Sequence, residues 1–210
     1  MTRRNIFILL FCFFTIHVNS QDELYSSLNR YDLNGRKTGK WIEYWPGTTR
    51  LKSVEHFSEG KRNGVCIYLN EYGYLMEESD YSNDSLHGIS KKYTSVGTLK
   101  ETAEFKNGRK EGFTRYYDYK RQVIEETEFH DNIRDGVHRI YYASGRVQQE
   151  GTFVNGKENG TRKNYKDNDE GEIVSEADFI DDLRVEKRRY RKGRLIRVEK
   201  APPPDQNASF

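Results

Sequence analysis

Asn107-Gly-Arg-Lys-Glu-Gly-Phe-Thr-Arg-Tyr-Tyr117 opens on a dipeptide that tolerates positive φ at both positions, the signature of a two-residue hairpin turn. The residues after that dipeptide alternate with period two and are rich in aromatic and β-branched side chains, which favours a strand over a helix. In the run just before it, Leu99, Glu101, Ala103 and Phe105 fall on one side, and Lys100, Thr102 and Glu104 on the other. A turn, a strand, a second turn and a second strand therefore make one unit.

The unit repeats. Gly39, Gly64, Gly88, Gly112, Gly136 and Gly160 are spaced by 25, 24, 24, 24 and 24 residues, and Val185 holds the next place. Five residues after each come Tyr44, Leu69, Tyr93, Tyr117, Tyr141, Tyr165 and Tyr190. Four residues before each lies Gly, Asn or Asp: Gly35, Gly60, Asp84, Gly108, Asn132, Gly156 and Asp181. A second turn falls near Gly47, Gly73, Gly97, Gly145 and Gly193, and no proline interrupts residues 47 to 201. A fixed period of this kind is the mark of a repeat architecture. The fold expected is all-β: an elongated, single-layer antiparallel sheet of about seven tandem β-hairpins. At about 4.8 Å per strand, fourteen strands make a ribbon roughly 65 Å long.

Pairing strands directly about the second turn sets Tyr93 opposite Leu99, Lys91 opposite Glu101, Arg115 opposite Glu125 and Arg139 opposite Gln149. An odd-length loop at the Asn-Gly turn then extends this to a charged row of Lys91, Glu101, Arg115, Glu125, Arg139, Gln149 and Lys163. On the same face, this register expects a Tyr row (Tyr44, Tyr93, Tyr117, Tyr141, Tyr165) and a second aromatic row (Phe57, Tyr81, Phe105, Phe129, Phe153, Phe179). With no helix to cover them, the rings must pack on one another through curling of the sheet, or meet a partner.

The first twenty residues are of another kind. Arg3 and Arg4 precede an apolar run from Ile6 to Ile16, with Val18 and Ser20 at the positions of a small-residue cleavage site. The run is short for a membrane span, so residues 1–20 are read as a signal peptide and the protein as exported: periplasmic, cell-surface or secreted. Phe11 before Cys12 argues against lipidation. Removing two Arg and no acid takes 35 basic against 33 acidic residues to 33 against 33. That balance argues against a dedicated nucleic-acid surface. Cys66 is then the one remaining cysteine, so no intrachain disulfide is possible.

The segments starting at Asn107 and at Asp135-Gly-Val-His-Arg-Ile-Tyr-Tyr142, each followed by a turn and a Glu-rich strand ending in Phe, resemble the bacterial variant of the MORN repeat. The resemblance covers residues 34 to about 196. It implies an elongated hairpin sheet that mediates protein or membrane association without catalysis, and some bacterial relatives carry an antitoxin label. Export would separate such a protein from a cytoplasmic toxin, so a target of that sort belongs in the envelope or outside. The pattern departs at Arg121, where a turn Gly is expected, at an insertion over 166–171, and at Val185.

No catalytic, cofactor or metal site is expected. His56, His87, His130 and His138 fall at unlike positions of four repeats, and paired acids such as Glu125-Glu126 face opposite sides of a strand. The binding residues expected are Tyr44, Tyr93, Tyr117, Tyr141, Tyr165, Arg115 and Arg139, directed at a protein partner rather than a small-molecule substrate or nucleic acid. Residues 21–33 are read as a leading cap, 34–196 as the repeat domain and 197–210 as a proline-containing tail. Lys187, Arg188, Arg189, Arg191, Lys192 and Arg194 form a basic segment open to two readings: a charged edge that blocks sheet association, or attraction to a membrane surface.

Overall fold

A computed structural model describes residues 27–202. The expected signal peptide, the first part of the expected cap and residues 203–210 lie outside the described residues. Among the described residues there is one sheet and no helix. Seven hairpins follow one another. They are β2 (Lys37–Tyr44) with β3 (Leu51–Ser58), β4 (Lys61–Arg62) and β5 (Gly64–Leu69) with β6 (Leu75–Ser82), and β7 (Ser85–Tyr93) with β8 (Leu99–Lys106). Then come β9 (Arg109–Tyr117) with β10 (Val123–His130) and β11 (Ile133–Tyr141) with β12 (Val147–Val154). The last two are β13 (Lys157–Glu158) and β14 (Gly160–Tyr165) with β15 (Ile173–Ile180), and β16 (Leu183–Arg191) with β17 (Arg194–Lys200). A two-residue strand, β1 (Arg30–Tyr31), pairs with β2 ahead of them. The strand β17 carries the sheet to Lys200, past the boundary expected at 196.

Successive strands pair antiparallel, with β4 and β5 both pairing back to β3, and β13 and β14 both to β12, as the two segments of one interrupted strand. The turns between hairpins hold two consecutive residues at positive φ, as at Asn107 (52°) and Gly108 (80°), or Asp131 (50°) and Asn132 (70°). This is the two-residue primed turn whose twist matches the strands it joins. The tips also stack: Gly108 N–H donates to the Leu86 carbonyl at 2.8 Å, and Asn132 N–H to the Lys110 carbonyl at 3.1 Å, one repeat back.

Two expectations about the faces fail because of how the turns are built. At every second turn the ladder holds one extra residue: Lys52, Met76, Lys100, Ile124, Gln148, Val174 or Ile196. Tyr93 still faces Leu99, but Glu101 pairs with Lys92 and Thr102 with Lys91. A single-residue slip sends every later side chain of that strand to the other face. The loop at the Asn-Gly turn is of even length besides. The charged row therefore runs through different acids: Glu78, Lys91, Thr102, Arg115, Glu126, Arg139, Glu150, Lys163, Glu176 and Arg188. Glu101, Glu125 and Gln149 lie on the opposite face.

The two aromatic rows are likewise on opposite faces rather than together. The Tyr row keeps the charged row beside it. The Phe57, Tyr81, Phe105, Phe129, Phe153 and Phe179 row shares its face with a line of small residues, among them Cys66, Ser79, Ser90, Ala103, Thr114 and Thr127. Those six are all buried in a sheet with no second layer, so their cover comes from larger neighbours on the same face. Cations complete that cover: Arg62 lies 4.1 Å from the Tyr81 ring, Lys110 4.8 Å from Phe129, Arg134 4.0 Å from Phe153 and Arg162 4.4 Å from Phe179. Each such contact contributes about 0.5–1 kcal/mol and lets a Lys or Arg stem replace a packing helix.

Candidate functional site

The second turns are braced by side chains. Asn70 Oδ1 accepts from the Tyr72 and Tyr74 N–H groups at 3.0 and 2.9 Å. Asp118 Oδ1 accepts from Lys120 and Gln122 at 2.8 Å each. Thr94 Oγ1 accepts from Thr98 at 3.1 Å. An acceptor at the first loop residue fixes the loop backbone without using its outer side chains. Those outer positions carry Tyr72 at 71% exposed, Val96 at 63% and Tyr119 at 81%. Between the second turns of the third and fourth hairpins lies a shallow groove of about 240 Å³, lined by Val96, Thr98, Leu99, Tyr117 and Tyr119 among others.

The expected site residues divide around this edge. Tyr117 lines the groove, and its hydroxyl lies 3.0 Å from Thr102 Oγ1. Tyr44 is exposed on the first hairpin. Tyr93, Tyr141 and Tyr165 are half-buried against the charged row. Burial raises the phenol pKa of both Tyr93 and Tyr165, and neighbouring carboxylates push the same way. Arg115 and Arg139 are brought together by Glu126: Arg115 Nε is 3.2 Å from Glu126 Oε2, and Arg139 Nη1 is 3.2 Å from Glu126 Oε1. Arg139 Nε reaches Glu150 at 2.6 Å.

Glu126 is the only buried charged residue among those described. Burial alone would raise its pKa. The bonds from Tyr141, Arg139 and Arg115 outweigh that and hold the carboxyl below its ordinary value. Tyr141 responds in the opposite sense, its phenol pushed up to about 12 by burial and then by the Glu126 carboxylate. This cluster can lock register and orient rings; its polar atoms are already engaged within the chain.

Elsewhere the structure disperses what chemistry there is. His130 pairs with Glu111 at 3.0 Å and His138 with Glu125 at 3.3 Å, while His56 Nδ1 lies 2.7 Å from the Val65 carbonyl. No group of three metal-ligating side chains forms among the described residues. Cys66 is fully buried and its thiol pKa is raised by that burial. The basic segment is split. Arg188 faces Glu176, Asp178 and Glu186, and Arg189 is on the other face with Glu199. Arg191, Lys192 and Arg194 stand exposed at the last turn.

Tyr72, Val96 and Tyr119 are absent from the residues expected to bind. They follow the column Asn70, Thr94 and Asp118, spaced by 24, which was the available signal. No protein-family model matches this chain, and no curated protein is significantly similar to it.

Proposed function

We propose that this chain is an exported, non-enzymatic scaffold of MORN-like hairpins that binds a protein partner along its second-turn edge, at the groove between the third and fourth hairpins. The observation that carries this reading is the exposure of Tyr72, Val96 and Tyr119 on loops whose backbones are braced from within. Aromatic rings held on a rigid frame lose little entropy on binding, and tyrosine is a favoured contact residue. The Tyr row and the Arg115, Glu126 and Arg139 cluster stand behind that edge, where Thr102 of the same row holds the Tyr117 hydroxyl at 3.0 Å. An envelope or extracellular target of antitoxin or immunity type fits the expected leader and the resemblance.

The test is a pull-down from envelope and secreted fractions, read by mass spectrometry, with the natural chain beside a Tyr72→Ser, Val96→Ser, Tyr119→Ser variant. One stoichiometric partner lost in the variant supports the reading. Capture that survives unchanged removes it. The exposed Arg191, Lys192 and Arg194 tip favours a second reading, attraction to an anionic surface. Vesicles rich in anionic lipid should then bind at low salt and release when these three residues become Ser.

A further inference from the structure

The two ends of the ribbon are finished differently. At the first, the Asn29 side chain acts as a strand residue: its Oδ1 accepts from Ile42 N–H at 2.7 Å and its Nδ2 donates to the Ile42 carbonyl at 3.1 Å. Asn29 N–H also donates to the Lys40 carbonyl at 2.9 Å, and β1 pairs with Thr38 and Lys37. The edge of β2 is therefore covered. At the other end, β17 is a seven-residue strand paired only with β16 among the described residues. Ala201 N–H points inward to the Val185 carbonyl at 3.0 Å, so by alternation the Val198 and Lys200 N–H groups point outward.

The side chains along this open edge are specific. Leu195, Ile196 and Val198 are exposed, and at the far end of the strand, where Ala201 meets Val185, a groove of about 330 Å³ is lined by Ile180, Leu183, Val185 and Pro202 among others. On the other face, Arg189 and Arg197 pair directly with one another, like charge against like. They share a single carboxylate, Glu199, at 3.5 and 3.0 Å. Everywhere along the central charged row a cation has an acid on a neighbouring strand; here, among the described residues, no strand follows β17 to bring a further negative charge.

We infer that β17 is a docking edge that accepts an extended peptide alternating acidic and apolar residues, added as the next antiparallel strand. Its carboxylates meet Arg197 and Arg189, and its apolar side chains cover Ile196 and Val198. A second copy of this chain fits less well. Self-pairing of β17 brings Arg194, Arg197 and Lys200 against their own kind, and the Asn29 end has no free ladder to offer. The chain's own continuation after Pro202 is Pro203 and Pro204, which have no N–H to donate.

The experiment is an anisotropy titration of the full chain with two labelled, terminally blocked hexapeptides, Glu-Val-Glu-Val-Glu-Val and Lys-Val-Lys-Val-Lys-Val, at low salt. Saturable binding of the acidic peptide alone is expected. Val198→Pro removes an outward donor while leaving the inward ladder in place, and binding should vanish with the strand circular-dichroism signal retained. Arg197→Glu should weaken the acidic peptide by about fivefold and admit the basic one. Equal binding of both peptides, no binding, or unchanged binding by Val198→Pro overturns the inference. So does a dimer of the free chain that Val198→Pro dissociates. Neither substitution touches the Tyr119 groove, so failure here leaves the partner reading intact, and the reverse.

Discussion

The Tyr141 hydroxyl donates to the Glu126 carboxylate across 2.6 Å, between adjacent hairpins, where Arg115 and Arg139 close on the same group from either side. One carboxylate thus joins β9, β10 and β11. Replacing it by Gln keeps the shape, removes the charge and leaves two guanidinium groups without their shared partner. Glu126→Gln should lower stability by about 2 kcal/mol, read as a shift of the urea midpoint at constant slope. An unmoved midpoint would show the row to be decoration.

The same pair sets the pH limits. Glu126 has a lowered pKa when folded, so its contribution is complete above the unfolded value of 4.5 and is lost as pH falls through the folded one. Tyr141 has a raised pKa, so its contribution is complete below 10 and is lost as pH rises toward about 12. The stability difference between the natural chain and Tyr141→Phe should be flat from pH 5 to 9 and shrink between pH 10 and 12. A difference that grows over the alkaline range contradicts the assignment.

Gly136 sits at φ 120° opposite Phe153, and a Cβ there would run into the Glu128 carboxylate, which accepts from Val137 N–H at 3.1 Å. Gly136→Ala should therefore cost about 2 kcal/mol or more, strain and collision together. At Gly145 the space is open, and only the positive φ opposes alanine, a cost of about 1 kcal/mol. Thermal unfolding of the two variants side by side checks the ranking.

Arg121 occupies a turn position at φ 64° that other hairpins give to glycine. Arg121→Gly should stabilise the fourth hairpin by about 1 kcal/mol, since the exposed side chain gives up only a weak electrostatic interaction with Tyr93. A fall in melting temperature would mean that the guanidinium matters to the loop.

Tyr119→Ser should change stability by less than about 0.5 kcal/mol, because the ring is exposed and is met only by the equally exposed Lys120 beside it, yet it should weaken partner capture. Tyr141→Ser should do the opposite first: loosen the sheet, and binding only as a result. The two variants, compared by urea titration and by pull-down, separate the edge from the row behind it.

The repeat, the primed turns, the hairpin number and the membership of both aromatic rows were legible because glycine, Asn-Gly and ring positions recur at a fixed spacing. The faces were not. A residue such as Lys100 or Gln148 has nothing in its chemistry to mark it as the odd member of a bulge, and each one turns the following strand over. That is why the residues facing the arginines of the charged row proved to be Glu126 and Glu150 instead of Glu125 and Gln149. The groove at Tyr119 escaped for a different reason: a loop tip is free of the packing that enforces a column, so Tyr72 and Val96 share a position with unlike side chains and Tyr119 stands one residue earlier in its loop.

The stacked hairpin tips carry a longer rhythm than the hairpins themselves. Where the second tip residue is Asp84, Asn132 or Asp182, its side chain accepts from Arg62, Lys110 or Glu158 N–H while its own N–H returns to the same residue's carbonyl. Gly60, Gly108 and Gly156, at the tips between, have no side chain to return a second bond to that residue's N–H, so their own N–H bond stands without it. Double and single clasps alternate along the ribbon, so its natural increment of growth is a pair of hairpins. A gene that lost one hairpin would place two clasps of the same kind side by side, whereas one that lost two would keep the alternation whole.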